Sequence, residues 1–223
     1  MTMTVILMLC MIVTFLAVDR VVQKSRSARA LRGAEGLALP AGPPSGVWLA
    51  PNHTWVKEEK DAVLVGVDEF IARIAGAVSS VILPDDGAHV SGTKVAFALA
   101  HGARQLRFAS PVAGRILEVN RGLLDNPAPA RMDPYGGGWL LRVAPERRPA
   151  AGPLTGENAR AWLSSQVAAA REFLTGVAGA QPLASLPDGG ELAEGALLHC
   201  DAEVWAEFER RFASIGDTLP AGR

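Results

Sequence analysis

From residue 46 to about residue 145 the chain breaks into short, largely apolar runs of three to six residues, each closed by Pro, Gly, Asp or Asn. This punctuation is the strongest constraint on the fold. Runs so short cannot form helices that bury a face, but they have the length of strands. Several strands at this spacing make an all-β sandwich or barrel. The runs are Val47 to Leu49, Thr54 to Lys57, Ala62 to Val67, Val78 to Leu83, Val95 to Ala100, Leu106 to Ala109, Arg115 to Asn120 and Trp139 to Val143. One helical patch interrupts them. Asp68 is placed to cap it, Phe70, Ile71 and Ile74 share a face, and Gly76 ends it. Val95 to Ala100 and Leu106 to Ala109 flank His101 and Gly102, and a glycine there suits the tight turn of a β-hairpin.

The flanking segments have other patterns. Residues 1–18 carry no charge, and a helix of that length spans ~27 Å, close to the hydrocarbon thickness of a bilayer. Val21 and Val22 extend the run to residue 22. A cleaved signal peptide needs basic residues before the apolar run. Here they follow it, as Arg20, Lys24, Arg26, Arg29 and Arg32. The expectation is a retained transmembrane helix over 1–22, with the N-terminus outside and the main domain cytoplasmic at a bacterial-type inner membrane. The basic cluster either touches anionic lipid heads or is a solvated flank. Residues 23–45 form a Pro/Gly-rich linker.

Past residue 148 the composition shifts to Ala, Gly and Glu, and residues 149–223 read as a helical extension. Over 157–175, Trp162, Leu163, Val167, Ala170, Phe173 and Leu174 fall near one face, with Val177 just beyond. Thr155 is the expected cap and Gly176 the expected stop. Residues 181–199 read as a turn with short extended pieces. Residues 202–213 read as a last helix, capped by Asp201, with Val204, Trp205, Phe208 and Phe212 as its stripe and Glu207 paired with Arg211. Two accounts of this extension stand level. Either both helices pack on the β domain (46–148) as core, or Trp162, Trp205 and Phe208 form a docking face for another subunit.

A net charge of -1 gives no basic surface for nucleic acid. Cys10 and Cys200 imply no disulfide framework. His53, His89, His101 and His199 are scattered, so no metal site is expected. Asp133 to Gly138 is glycine-rich, but no lysine and no helix start follow it, so the phosphate-binding mechanism is absent. No nucleophile–base pair or carboxylate pair stands out. The chain reads as non-enzymatic, without catalytic or cofactor-binding residues.

The motifs also come in a telling order: HTWV (His53 to Val56), VGVDEF (Val65 to Phe70), LPDDG (Leu83 to Gly87), SPVAGRILEVN (Ser110 to Asn120), DNP (Asp125 to Pro127) and DPYGGGWLLRV (Asp133 to Val143). Over about residues 46–145 the chain resembles the H protein of the glycine cleavage system, in the lipoyl/biotinyl-domain group. The resemblance implies a mainly β fold, a flattened sandwich of two sheets. It also implies a hairpin displaying a lipoylated lysine, which carries an aminomethyl group between the other enzymes of the system. In the family that lysine stands in a segment like ESVKA. Counted back from Ser110 its place falls on Ala103; counted forward from Gly92 it falls on Gly102. The family's glutamate falls on Ala100 or Leu99.

The lysines of this chain are Lys24, Lys57, Lys60 and Lys94. Lys94 lies at the wrong end of the hairpin, and the Arg104 guanidinium is no acylation target. The hairpin therefore keeps its place without its amine. His101, Arg104 and Arg107 make the tip polar and basic, either as a contact for an acidic partner or as a solvated turn. His53 and Trp55 occupy positions that are structural in the family, and Trp55 is expected to pack. The reading is a membrane-anchored, non-lipoylated scaffold or adaptor, an accessory subunit of a membrane complex such as a respiratory or photosynthetic one. The alternative is a lipoyl carrier in glycine decarboxylation. A third idea is a sensor that binds a small molecule between the sheets.

Overall fold

A computed structural model describes residues 40–147, 149, 152, 154–177 and 193–214. The expected transmembrane helix, the linker before Pro40 and most of the expected turn over 181–199 lie outside these residues. Among the described residues no helix is long and apolar enough to cross a membrane.

The short runs pair into two antiparallel sheets. The larger holds β1 (Val47–Leu49), β2 (Thr54–Glu58), β3 (Val63–Val67), β9 (Leu141–Pro145), β8 (Gly114–Val119) and β5 (His89–Val90), side by side in that order. The smaller holds β4 (Ser80–Ile82), β6 (Val95–His101) and β7 (Arg104–Ala109). Val56, Val65 and Leu141 form one cross-strand row of the larger sheet, and all three are buried. Phe97 and Phe108 stack across the smaller sheet with ring centroids 5.5 Å apart. The expected mainly β fold with a helical addition is what the structure shows.

Gly66 explains one local requirement. It lies opposite Trp55, and a Cβ there would sit 2.7 Å from the indole. Trp55 is buried flat over that glycine, and its Nε1 donates to Pro134 O at 3.0 Å. The Asp133 to Gly138 loop is thus part of the packing of Trp55. Asp133 Oδ2 accepts from Gly137 N at 2.6 Å and holds the loop closed.

α1 (Glu69–Ile74) forms as expected. Asp68 Oδ1 accepts from Ile71 N at 3.1 Å, and Phe70, Ile71 and Ile74 are buried. α2 (Gly122–Asp125) and α3 (Ala128–Met132) occupy a stretch expected to be loop. Pro127, with its fixed φ, starts α3. β9 begins at Leu141 rather than Trp139, and Leu140 N donates to Val65 O of β3 at 2.8 Å just before it.

α4 (Gly156–Val177) runs through Gly176, so that glycine is not its stop. Part of the expected turn over 181–199 is a 3₁₀ turn, Ala196–His199. α5 (Ala202–Phe208) is capped by Asp201, whose Oδ1 accepts from Val204 N at 2.9 Å. It then widens into a π turn, Glu209–Ala213. The π turn rotates Arg211 off the face of Glu207. Glu207 pairs with Arg210 instead, and Arg211 lies over the Phe173 and Phe212 rings at 5.8 and 5.7 Å.

Candidate functional site at the hairpin and its brace

β6 and β7 are joined by a two-residue tip, Gly102–Ala103, closed by the pair His101 and Arg104. Gly102 has φ 59°, and Ala103 is not among the positive-φ residues. Glycine in the first position with positive φ is the sign pattern of a type II′ turn, whose twist matches that of the strands. A Cβ at Gly102 would meet nothing within 4 Å, so the tip faces open space. No amine is there. Lys94 lies before Val95, at the far end of β6, roughly 26 Å away along the strand. The tip residues do not fit an acyl-lysine.

The sides of the hairpin are held. His101 Nδ1 is 2.7 Å from Ala77 O, and Gly102 N donates to Ser79 Oγ at 3.1 Å. Arg104 Nη1 donates to Leu198 O at 3.0 Å. Glu209 accepts three bonds from Arg107: from N at 3.2 Å, from Nε at 2.9 Å and from Nη2 at 2.6 Å. These bonds raise the Arg107 pKa above its ordinary value. The Arg107 side chain is 57% exposed, against 12% for Glu209. The pair is open to solvent on the arginine side only, and three bonds to one carboxylate fix the position of the hairpin.

Beside the brace lies a polar knot in an aromatic setting. His53 is buried and holds φ 60°, a backbone region that non-glycine residues rarely occupy. The Asp68 carboxylate accepts the Nδ1–H of His53, with 2.7 Å between Nδ1 and Oδ2. Among the described residues His53 Nε2 has no hydrogen-bond partner. The imidazole is stacked between Phe70 and Trp162, with centroids at 4.5 and 4.6 Å. Neighbouring Asn52 donates to Ala109 O at 3.0 Å, tying this loop to the end of β7. Phe173, Phe208 and Phe212 complete the cluster.

Of the six residues singled out from the sequence, Arg104, Arg107, Trp162 and Phe208 bridge the β domain and the extension, whereas His101 is bonded within the β domain and Trp205 within the extension. His101, Arg104 and Arg107 are spent on the brace. Trp205 is buried with its Nε1 donating to Leu197 O at 2.6 Å, and Phe208 is fully buried. Both serve the core, so neither lies on an open docking face. Trp162 is half-buried against His53. Sequence reasoning missed Glu209 and the His53–Asp68 pair. Asp68 was legible only as a helix cap.

Among the described residues no three His, Cys, Asp or Glu side chains gather as metal ligands. Burial pushes the Cys200 thiol up to about 11, so it is a poor nucleophile near neutral pH.

Fold and site together define a two-sheet β protein that presents a tight hairpin as a fixed, braced element. The family model described as Glycine cleavage H-protein matches residues 48–165, more than half of the chain. The glycine cleavage system H protein of Pseudoalteromonas atlantica (strain T6c / ATCC BAA-1087) is 40% identical over 102 residues, covering 45% of this chain and 78% of the relative. That of Magnetococcus marinus (strain ATCC BAA-1437 / JCM 17883 / MC-1) is 33% identical over 126 residues, covering 55% and 88%. A crystal structure of a glycine cleavage system H protein from Mycobacterium marinum matches with 28% identity and a TM-score of 0.48, over 55% of this chain and 98% of that one. The chain belongs to the glycine cleavage H-protein family.

Proposed function

We propose that this chain is a scaffold or adaptor of the H-protein family whose β6–β7 hairpin carries no acyl group. The observation that carries the reading is the Gly102–Ala103 tip, with no amine and with its β7 arm tied to the C-terminal extension by Arg104 and Arg107. A carrier hairpin must offer an amine to a ligase, and this tip has none. The proposal includes anchoring by residues 1–22, with the folded domain on the cytoplasmic face as an accessory subunit of a membrane complex. Mild-detergent extraction of the native protein, followed by identification of co-purifying chains, tests it. A defined set of partner subunits at constant ratio is expected; elution alone as a monomer overturns the reading.

The second reading is a lipoyl carrier of the glycine cleavage system. The relatives favour it, since each is described as a glycine cleavage system H protein. It requires a lysine away from the β6–β7 tip. Intact mass of the native protein decides it, because a carrier is expected to show the mass of one lipoyl amide.

A further inference from the structure

Resting on that second reading, we propose that Lys60, at the tip of the β2–β3 hairpin, is the acylation site of this chain. Glu58 pairs with Val63, and one step beyond Glu59 N donates to Ala62 O at 2.8 Å. The loop proper is therefore Lys60–Asp61, two residues long like Gly102–Ala103. Lys60 stands in the first position of its tip, as Gly102 does in the other hairpin. Neither Lys60 nor Asp61 has positive φ, so the turn accepts L side chains without strain.

The tip is a firm platform. β2 and β3 are flanked by β1 and β9 in the larger sheet, and Glu59 Oε2 accepts from Arg142 Nε at 2.9 Å. Lys60 itself is exposed and has no hydrogen-bond or ion-pair partner among the described residues. Glu58, Glu59 and Asp61 are its neighbours in the chain, and with them it lines an open cavity of about 200 Å³ that reaches Pro145. The other described lysines are placed differently. Lys57 lies mid-strand, between Val47 and Leu64, and Lys94 precedes a strand instead of crowning a turn. A modifying enzyme grips a backbone turn and needs its amine held outward, and Lys60 alone of the three meets that need.

The reaction is an amide formation from a carboxylic acid activated as its acyl adenylate. The neutral Nζ attacks the acyl carbon, the N–C bond forms and the C–O bond to phosphate breaks. AMP leaves with that electron pair, and the amine proton passes to solvent.

The test uses the full chain in detergent with lipoic acid, ATP and a lipoate–protein ligase, followed by intact mass and peptide mapping. One lipoyl amide on Lys60 is expected, lost in Lys60→Arg and kept in Lys94→Arg. A label on Lys57 or Lys94 overturns the assignment and leaves the carrier reading standing. No label on any lysine overturns both.

Discussion

Asp68→Ala is expected to destabilise the folded chain by about 2–5 kcal/mol, read as a fall in the urea midpoint at unchanged slope. The range follows from two roles of one carboxylate. Oδ1 caps α1 through Ile71 N, and losing such a cap costs about 0.5–2 kcal/mol. Oδ2 holds the Nδ1–H of His53, which is otherwise enclosed by rings. Its loss leaves a buried donor unpaired, at about 1–3 kcal/mol. His53 Nε2 already lacks a partner among the described residues, so the variant strands both ring nitrogens there. Asp68→Asn separates the roles, since an amide oxygen still caps the helix. It is expected to recover most of the capping term and part of the rest. A loss under about 1 kcal/mol in Asp68→Ala would show that His53 finds another partner or that the seam yields cheaply.

Phe208→Ala carries the second large effect, about 3–5 kcal/mol. Phe208 is fully buried and lies against Phe212 at 4.5 Å and against Phe70 and Phe173 at 6.2 Å. Those three rings come from the π turn, α1 and α4, so Phe208 joins the extension to the β domain. Its neighbour Glu209 is the anchor of Arg107. The variant is therefore expected to raise hydrogen exchange along β7, most at Arg107 N, which donates to Glu209. Arg107→Ala should loosen the hairpin and cost about 1–3 kcal/mol, because it leaves the Glu209 carboxylate, only 12% exposed, without its partner. Equal exchange in β7 of the wild type and of Phe208→Ala would mean that the extension does not hold the hairpin.

Much of this architecture is legible in the order of residues. Pro84, Asp85, Asp86 and Gly87 close one strand run, and Gly102 turns another, because those residues have few other backbone options. The alternation of buried and exposed positions in β8, read from Gly114 to Leu117, is the pleat itself. The errors have physical causes as well. Gly176 was a credible helix stop, yet a single glycine costs only about 1 kcal/mol in a helix, which packing by Phe173 and Leu174 offsets. Glu207 and Arg211 had the spacing of an α-helical pair, but the π turn changed the rotation between them.

The aromatic stripe of residues 202–213 was legible as apolar, but not the surface it would cover. Periodicity marks a face to be buried without saying whether the cover comes from the same chain. The tertiary structure decides it: Trp205 and Phe208 pack inside the chain. The brace could not be read from sequence either, because Glu209 lies 102 residues from Arg107. Neither residue carries a local signal of that pairing.

The sequence by itself determined that the β6–β7 tip holds no amine, since folding can place a functional group but cannot create one. It also determined the strand runs, whose turns follow from local backbone sterics. Only the tertiary structure decided that the hairpin is braced and that His53 is sealed between Phe70 and Trp162. It likewise showed that Lys60 crowns a second two-residue turn. Those outcomes depend on long-range packing, where many weak contacts between distant segments jointly select one arrangement.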